Sequence, residues 1–416
     1  MYMSQLIDQV NFQNKHWAQT PYSTPLFERN LVASIWQDVD TQLIALITGP
    51  RRIGKSVILK QLINKLIQIK NIPSRQILFY EFSPHQDPDD LWQVFNYFSQ
   101  TVADPRLPTY LFFDEIQYLA AYESIIKNIY DNSYHAKIFL TGSLSLTYKH
   151  KMHESLAGRF FSYPLYPLNF EEYLKLFVPE DAVLFAKAQT SDDPFKTKRL
   201  LNILNPHFRK FLRLGRFPEL STLNLDQSTL YLQNILNQSL NQDVFAYFDI
   251  QKPLIISALF EYLRLNNGGI VSINKLSSLL GASNQTIGDY LNILDIMGLV
   301  YPVYNTTNPL IKLNSSKKIY VNSAFSLLNT KFDQSTSFGT AVESYIVEEL
   351  LSRNKLVTFW RDRDKEIDIL LPKERLGYEI KFSPNPPTLK LKLPGYKLDL
   401  VTLQDNNPAC LFPIGL

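Results

Sequence analysis

The sequence predicts an α/β protein in which a parallel sheet wrapped by helices is followed by a helical segment, a helix-turn-helix with a wing, and a second α/β region. Three observations predict it. Short apolar runs at Leu43 to Ile47, Gln76 to Phe82, Tyr110 to Phe113 and Ile138 to Leu140 alternate with helical patterns, as strands buried on both faces and joined by crossover helices do. From Asn169 to about Tyr262 the periodicity is helical throughout, with Phe170, Tyr173, Leu174 and Phe177 spaced as one apolar face. After Gly268-Gly269 it changes again, first to paired short helices and then, from about Lys317, to a helix followed by strands. These shifts divide the chain into residues 1–168, 169–262, 263–310 and 311–416.

The first strand runs into Gly49-Pro50-Arg51-Arg52-Ile53-Gly54-Lys55-Ser56, and the chain resumes at Val57 as an amphipathic helix. This is a phosphate loop in its strand-to-helix setting. Backbone N–H groups of the loop and of the first helical turn wrap phosphates, Lys55 neutralises the β and γ groups, and the Ser56 hydroxyl holds Mg²⁺. The third strand ends in Asp114-Glu115. In phosphoryl-transfer ATPases the first acid of such a pair holds the Mg²⁺ water shell and the second orients or deprotonates the attacking water. The fourth strand ends in Thr141-Gly142-Ser143, either a γ-phosphate sensor made by Ser143 or Thr141, or an ordinary strand-to-loop turn. All three motifs fall at the carboxyl ends of strands, where ligands sit in open parallel sheets.

The polar stretch Lys187 to Lys198 reads as an exposed connection. Ile273 to Gly281 and Ser283 to Met297 read as helix, glycine-containing turn and helix, with Gly298 to Val303 as the first strand of a wing. The second helix offers Ser283, Asn284, Gln285, Thr286 and Asn292 but no Lys or Arg, and phosphate contacts dominate DNA affinity. It is either a packing module or a DNA reader.

In the last region a helix opening at Phe338 and bearing Glu343 precedes strands at Leu356 to Trp360, Glu366 to Leu371 and Gly377 to Phe382. Glu379 and Lys381 share one strand face and Asp368 lies on the neighbouring strand. Two carboxylates, with Glu343 as a third, bind Mg²⁺ while the lysine positions a water for attack on a phosphodiester. An alternating strand with solvated charges is the alternative.

A chain of 416 residues, 45% hydrophobic, supports several cores. Its net charge of +3 provides no global basic field for nucleic acid. The single cysteine, Cys410, excludes an internal disulfide framework and a cysteine-rich zinc site. With no apolar run of membrane-spanning length and no secretory leader pattern, a cytoplasmic protein without membrane contact is expected.

Gly49 to Ser56, Asp114 to Gln117, Leu140 to Ser143, Leu156 to Phe160 and Pro167 to Tyr173 together resemble the prokaryotic AAA-type P-loop ATPase family with a C-terminal domain of unknown function. The resemblance covers nearly the whole chain and includes Arg29, before the first strand. At Gly215 to Glu219, where relatives show Gly-Gly-Phe/Tyr-Pro-Glu, Arg216 replaces the second glycine. Asn241-Gln242-Asp243 resembles the family's Arg-Asp pair without its arginine. The resemblance implies an ATP-binding core, a helical lid, a winged helix and a nuclease-like fold of the PD-(D/E)xK type, in which Asp368, Glu379 and Lys381 match the motif and Glu343 the helical acid. Arg159 is either a γ-phosphate arginine, in cis or in trans, or a conventional salt-bridge residue. Arg51 and Arg52 reach either the nucleotide or a neighbouring acid.

The expected activity is an ATP-dependent switch with Mg²⁺ as cofactor, acting on DNA and cleaving it through the C-terminal region. The alternative is a non-cleaving ATPase that binds nucleic acid, or that remodels or signals to protein partners. Self-association is open to it, since Arg159 acting in trans requires a second copy.

Overall fold

The structure, a computed structural model, describes residues 2–84, 86–132, 136–143, 146, 156–306, 317–326, 328, 335–362, 365–381 and 392–402. Two compact units follow one another along the chain, residues 1–166 and 167–416.

In the first unit five parallel strands form one sheet: β1 (Ile44–Thr48), β2 (Ile77–Glu81), β3 (Thr109–Asp114), β4 (Ala136–Gly142) and β5 (Phe160–Pro164), in the order β2-β3-β4-β1-β5. β1 and β4 are buried along their whole length, as the unbroken apolar runs require. The α/β architecture with a parallel sheet is therefore as the sequence predicts. β5 is an addition, because its outer-edge position leaves Phe161 and Ser162 exposed and gives it no apolar run.

The open edge of β2 is covered by side chains from the N-terminal segment, which follows the helix Tyr2–Gln13. Asn14 acts as a substitute strand residue: its Oδ1 accepts from the Phe79 N–H at 2.7 Å and its Nδ2 donates to the Phe79 carbonyl at 2.8 Å. Gln13 pairs with the backbone of Glu81 in the same way. The Trp17 indole donates to the Ile77 carbonyl at 2.7 Å, and His16 Nε2 lies 2.9 Å from the same oxygen. An edge that would otherwise template foreign strands is thus satisfied within the chain. Burial, against the bond to Ile77, holds the His16 imidazole at a pKa of about 4.

The second unit begins with helices Phe170–Phe177, Pro179–Gln189, Pro194–Leu214, Leu225–Gln238 and Pro253–Leu265. Asn169 and Glu172 form a reciprocal capping box on the first. The stretch expected as an exposed connection, Lys187 to Lys198, is mostly helical. Only residues 190–193 lie outside helices, because Asp193 caps the next helix by accepting from Phe195 and Lys196 and Pro194 occupies its first turn.

Arg216, the substitution for glycine, is a buried anchor. Its guanidinium lies over the rings of Tyr345 (4.9 Å) and Phe211 (5.2 Å), ion-pairs with Glu348 and donates to the Leu168 carbonyl. Glu348 also accepts from the backbone and hydroxyl of Ser323. Gly215 beside it is packed so that a Cβ would stand 2.6 Å from Phe211 Cα and from the Tyr173 ring.

A single seven-stranded sheet spans the rest of the unit: β6 (Ile270–Val271), β7 (Val300–Asn305), β8 (Lys317–Val321), β9 (Thr358–Asp362), β10 (Lys365–Leu371), β11 (Leu376–Lys381) and β12 (Lys397–Thr402), ordered β12-β11-β10-β9-β7-β8-β6. Helix Ile273–Leu280 ends at Gly281, whose φ of 62° is the left-handed turn, and helix Asn284–Ile296 starts at Ser283, whose hydroxyl accepts from the Thr286 N–H. β7 joins the C-terminal strands through a short parallel ladder, Tyr304 to Thr358 and Asn305 to Phe359. Helix Ser335–Ser352 precedes β9. Phe382, expected in the last strand, lies outside the described residues.

Candidate functional site: phosphate loop and paired carboxylates

β1 delivers the chain into the loop from 49 to 54, and helix Lys55–Gln68 carries it away. Two glycines are fixed by geometry. Gly54 has φ 98°, open only to glycine at low cost, and a Cβ on Gly49 would stand 2.4 Å from the Leu165 carbonyl oxygen. Arg52 also takes a left-handed φ of 65°, so the loop turns sharply around Ile53, whose side chain is buried. From behind, the buried Arg29 guanidinium ties the loop down, donating to the Ile53 carbonyl at 3.0 Å and to the Tyr166 carbonyl at 2.7 Å. Arg51 is partly exposed and Arg52 exposed; Pro50 is partly exposed and Val57, in the first turn, points outward.

Lys55 is buried, and its ammonium donates to the carbonyls of Gly49 (3.2 Å) and Pro50 (3.0 Å). It also lies 3.5 Å from Glu115 Oε1. One cation therefore faces both the loop and the acid that follows β3. Asp114 is fully buried, and its Oδ2 has no hydrogen-bond partner among the described residues. Burial raises its pKa, the neighbouring Glu115 adds to the rise, and Ser56, Thr141 and Lys55 work against it. A buried carboxylate oxygen left open beside the Ser56 hydroxyl suits a hard divalent cation. Ser56 and Asp114 would hold Mg²⁺ there, where it would neutralise developing phosphate charge.

Thr141 ties the two acids together. Its hydroxyl donates to Asp114 Oδ1 and accepts from the Glu115 N–H at 3.0 Å. Glu115 has a left-handed φ of 54°, which turns its side chain out of the strand. Gln117 donates to Glu115 Oε2 and so fixes the carboxylate from the other side. Gly142 makes room for this glutamine, since a Cβ there would be 2.4 Å from Gln117 Oε1 and 2.2 Å from Leu146 Cδ1. Of the two sensor candidates, Thr141 is thus committed to the acids. Ser143, partly exposed, stands one residue beyond β4 on the same side as the loop.

Arg159 does not join this site in its own chain. β5 runs parallel to β1, and the Arg159 carbonyl accepts from Ile44 N–H at the start of β1, the opposite end of the strand from the loop. Its guanidinium pairs with Asp131 at 3.0 Å. Two residues not singled out from the sequence do belong near the acids: Gln117, and Glu81 at the carboxyl end of β2, opposite Asp114 in register. Burial, then Asp114, raises the Glu81 pKa. Its signal was available, since it ends the second apolar run as Asp114 ends the third.

In the second unit Glu343, Asp368, Glu379 and Lys381 do come together, but with an addition. Lys318 on β8 sits among the acids, 2.6 Å from Glu366, 2.9 Å from Asp368 and 3.7 Å from Glu343. The other oxygen of Asp368 accepts from the Ile380 N–H at 2.9 Å, and Lys381 lies 2.6 Å from Glu379. Tyr320 donates to Glu343. Among the described residues no group of three or more His, Cys, Asp or Glu is arranged to hold a metal ion. The expected Mg²⁺ set of Glu343, Asp368 and Glu379 is therefore not assembled around an open centre: the Lys318 ammonium lies among the acids, and each oxygen of Asp368 already accepts a hydrogen bond.

Comparison with known proteins bears on the segment that holds the phosphate loop. Residues 41–174 match the family model of an AAA domain, and residues 205–331 match a domain of unknown function, DUF8612. An uncharacterised protein of Haemophilus influenzae is 25% identical over 356 residues, covering 83% of each chain. The Methanocaldococcus jannaschii protein MJ1544, also uncharacterised, is 24% identical over 395 residues, covering 89% of this chain and 85% of its own. Among solved structures, the Aeropyrum pernix ORC1 protein in complex with DNA aligns with a TM-score of 0.32 at 10% identity, over 80% of this chain and 95% of that one. A Thermotoga maritima DNA polymerase III γ-subunit-related protein aligns with a TM-score of 0.28 at 13% identity, over 64% of this chain and 97% of its own. Likenesses that slight bear on neither fold nor function. No helix among the described residues is long and apolar enough to cross a membrane. The match of residues 41–174 to an AAA domain falls on the parallel sheet, the glycine-turned phosphate loop and the paired carboxylates at one strand end.

Proposed function

We propose that this protein is an ATP-hydrolysing switch acting on DNA, in which the nucleotide site of the first unit governs what the second unit binds. The observation that carries the ATPase reading is Thr141 bonded to both Asp114 and Glu115. That arrangement supports a division of labour in which Asp114 faces Mg²⁺ and Glu115, next to Lys55, orients a water for attack on the γ-phosphate. Ser143, partly exposed and one residue beyond β4, is the γ-phosphate sensor candidate.

DNA as the target is supported by the helix, Gly281 turn, helix and β7 that together follow the winged-helix order. The order of helix Ser335–Ser352 with Glu343, then β10 with Asp368 and β11 with Glu379 and Lys381, supports a PD-(D/E)xK-like fold for the C-terminal strands. A second reading, in which the partner is a protein, is favoured by one observation. The exposed positions of helix Asn284–Ile296 are Asn284, Gln285, Asp289 and Asn292, with no basic residue to meet phosphates.

ATP turnover and duplex DNA binding, measured on the wild type, Lys55→Ala and Glu115→Gln across a salt series, test both readings. Lys55→Ala loses nucleotide binding, while Glu115→Gln binds ATP without turning it over. Nucleotide-dependent DNA binding that weakens steeply with salt supports the DNA reading; absent or salt-insensitive binding moves the target to protein. Full turnover in Glu115→Gln would remove Glu115 from its role.

A further inference from the structure

The C-terminal carboxylates form a cluster that the ATPase does not use. Glu343 comes from helix Ser335–Ser352, Glu366 and Asp368 from β10, and the ammonium of Lys318 from β8, three strands away in the sheet order. Lys318 is buried; its ammonium donates to Asp368 at 2.9 Å, pairs with Glu366 at 2.6 Å and lies 3.7 Å from Glu343. The face of the Phe359 ring, 5.7 Å from the ammonium, adds a further site favourable to a cation.

We propose that Lys318 is the resident cation of this cluster, an internal ammonium that does the work a divalent metal would do and closes the site to Mg²⁺ and Mn²⁺. Three features argue for this. Oxygens gathered 2.6 and 2.9 Å from a nitrogen are at ammonium distances, whereas Mg²⁺ draws oxygens to about 2.0–2.1 Å; the two cations cannot share the space. Each oxygen of Asp368 already accepts a hydrogen bond, one from Lys318 and one from the Ile380 N–H, so a metal there would compete with the Lys318 ammonium. The remaining charge is balanced locally as well. Glu379 is paired with Lys381, and Glu343, hydrogen-bonded by Tyr320, is held at a pKa of about 7 by burial and by Asp368. Burial works against the Lys318 ammonium, but Glu343, Asp368 and Glu366 outweigh it and raise its pKa. With the ammonium seated between Glu366 and Asp368, phosphodiester cleavage has no metal to run on.

The test measures Mn²⁺ alone, by the paramagnetic signal of the free ion, on the full chain without nucleotide. Lys55→Ala with Asp114→Asn forms the background, which silences the phosphate site. In that background no Mn²⁺ is bound that a further Asp368→Asn removes. Adding Lys318→Met frees the acids and creates a site for about one Mn²⁺ per chain, which Asp368→Asn abolishes. Lys318→Gln, keeping a polar head, substitutes where circular dichroism shows the methionine variant unfolded. Two results would overturn the proposal: Mn²⁺ held through Asp368 while Lys318 is intact, or a folded Lys318 variant that acquires no site. Neither depends on whether the first unit hydrolyses ATP.

Discussion

Replacing Thr141 by valine removes a hydroxyl at nearly constant volume and separates two things that this hydroxyl does. It donates to a buried carboxylate, a bond to a charged group of about 1.5–3 kcal/mol, and it accepts from the Glu115 N–H, whose loss leaves a donor unsatisfied at about 1–3 kcal/mol. Glu115 is also held at a positive φ that a non-glycine residue adopts at a cost, so without the bond the chain relaxes and the carboxylate moves away from Lys55. Half of a combined loss of about 3–5 kcal/mol reaching the transition state slows turnover about tenfold to a hundredfold. The pH profile supplies a second readout. Burial and Glu115 already raise the Asp114 pKa, and Thr141 opposes them. Removing that opposition raises it further, so the acidic limb of the ATPase profile shifts to higher pH. Thr141→Ser keeps the hydroxyl and keeps both limbs in place. Steady-state ATP hydrolysis between pH 5 and 9, with nucleotide affinity measured in parallel, is the assay. Wild-type turnover and an unshifted acidic limb in Thr141→Val would refute the assignment of Thr141 as the residue that sets both acids.

Gly142→Ala should slow ATP turnover while sparing nucleotide affinity, because the new Cβ pushes Gln117 off Glu115; unchanged single-turnover rates would contradict this. His16 titrates at about 4 in the fold against 6.5 in the open chain, so its stability is fully present above pH 6.5 and is lost as pH falls towards 4, about 3 kcal/mol in all. His16→Gln should flatten that part of the denaturation profile, and equal slopes in mutant and wild type would count against a buried neutral imidazole. Arg216→Met leaves Glu348 buried without its guanidinium, a loss of about 3–5 kcal/mol that a urea titration of the second unit detects; the double variant with Glu348→Gln recovers part of it. Plasmid nicking with Mg²⁺ or Mn²⁺ should be no greater for the wild type than for Asp368→Ala, since Asp368 is engaged by Lys318 and Ile380.

The first four strands of the first unit were legible because burial on both faces demands unbroken apolar runs, and Leu43 to Ile47 or Tyr110 to Phe113 have no other comfortable place. β5 was not, since an edge strand with Phe161 and Ser162 exposed carries no such run. The phosphate loop and Asp114-Glu115 are contiguous motifs whose chemistry depends on local spacing. Thr141, Gln117 and Glu81 act through register between strands, which a linear sequence does not display. Lys318 shows the limit most sharply. No local motif marks Lys318, and only the strand order β10-β9-β7-β8 brings it among the acids predicted to hold Mg²⁺. Arg159 takes the salt-bridge alternative within its own chain, pairing with Asp131 at the end of β1 opposite the loop.

The ladder between β7 and β9 has a mechanical meaning. It is two residue pairs long, whereas β7 and β8 share five pairs and β11 and β12 share six. Bending stress applied across such a sheet concentrates where the fewest bonds resist it. Among the described residues the pair β7–β8 and the strip from β9 to β12 are each held by longer ladders, so bending between them falls on Tyr304, Asn305, Thr358 and Phe359. The side-chain stitches at this seam, Thr306 to Thr358 at 2.7 Å and Asn305 to the Arg361 carbonyl at 3.3 Å, then set how much force passes from one strip to the other before the sheet gives.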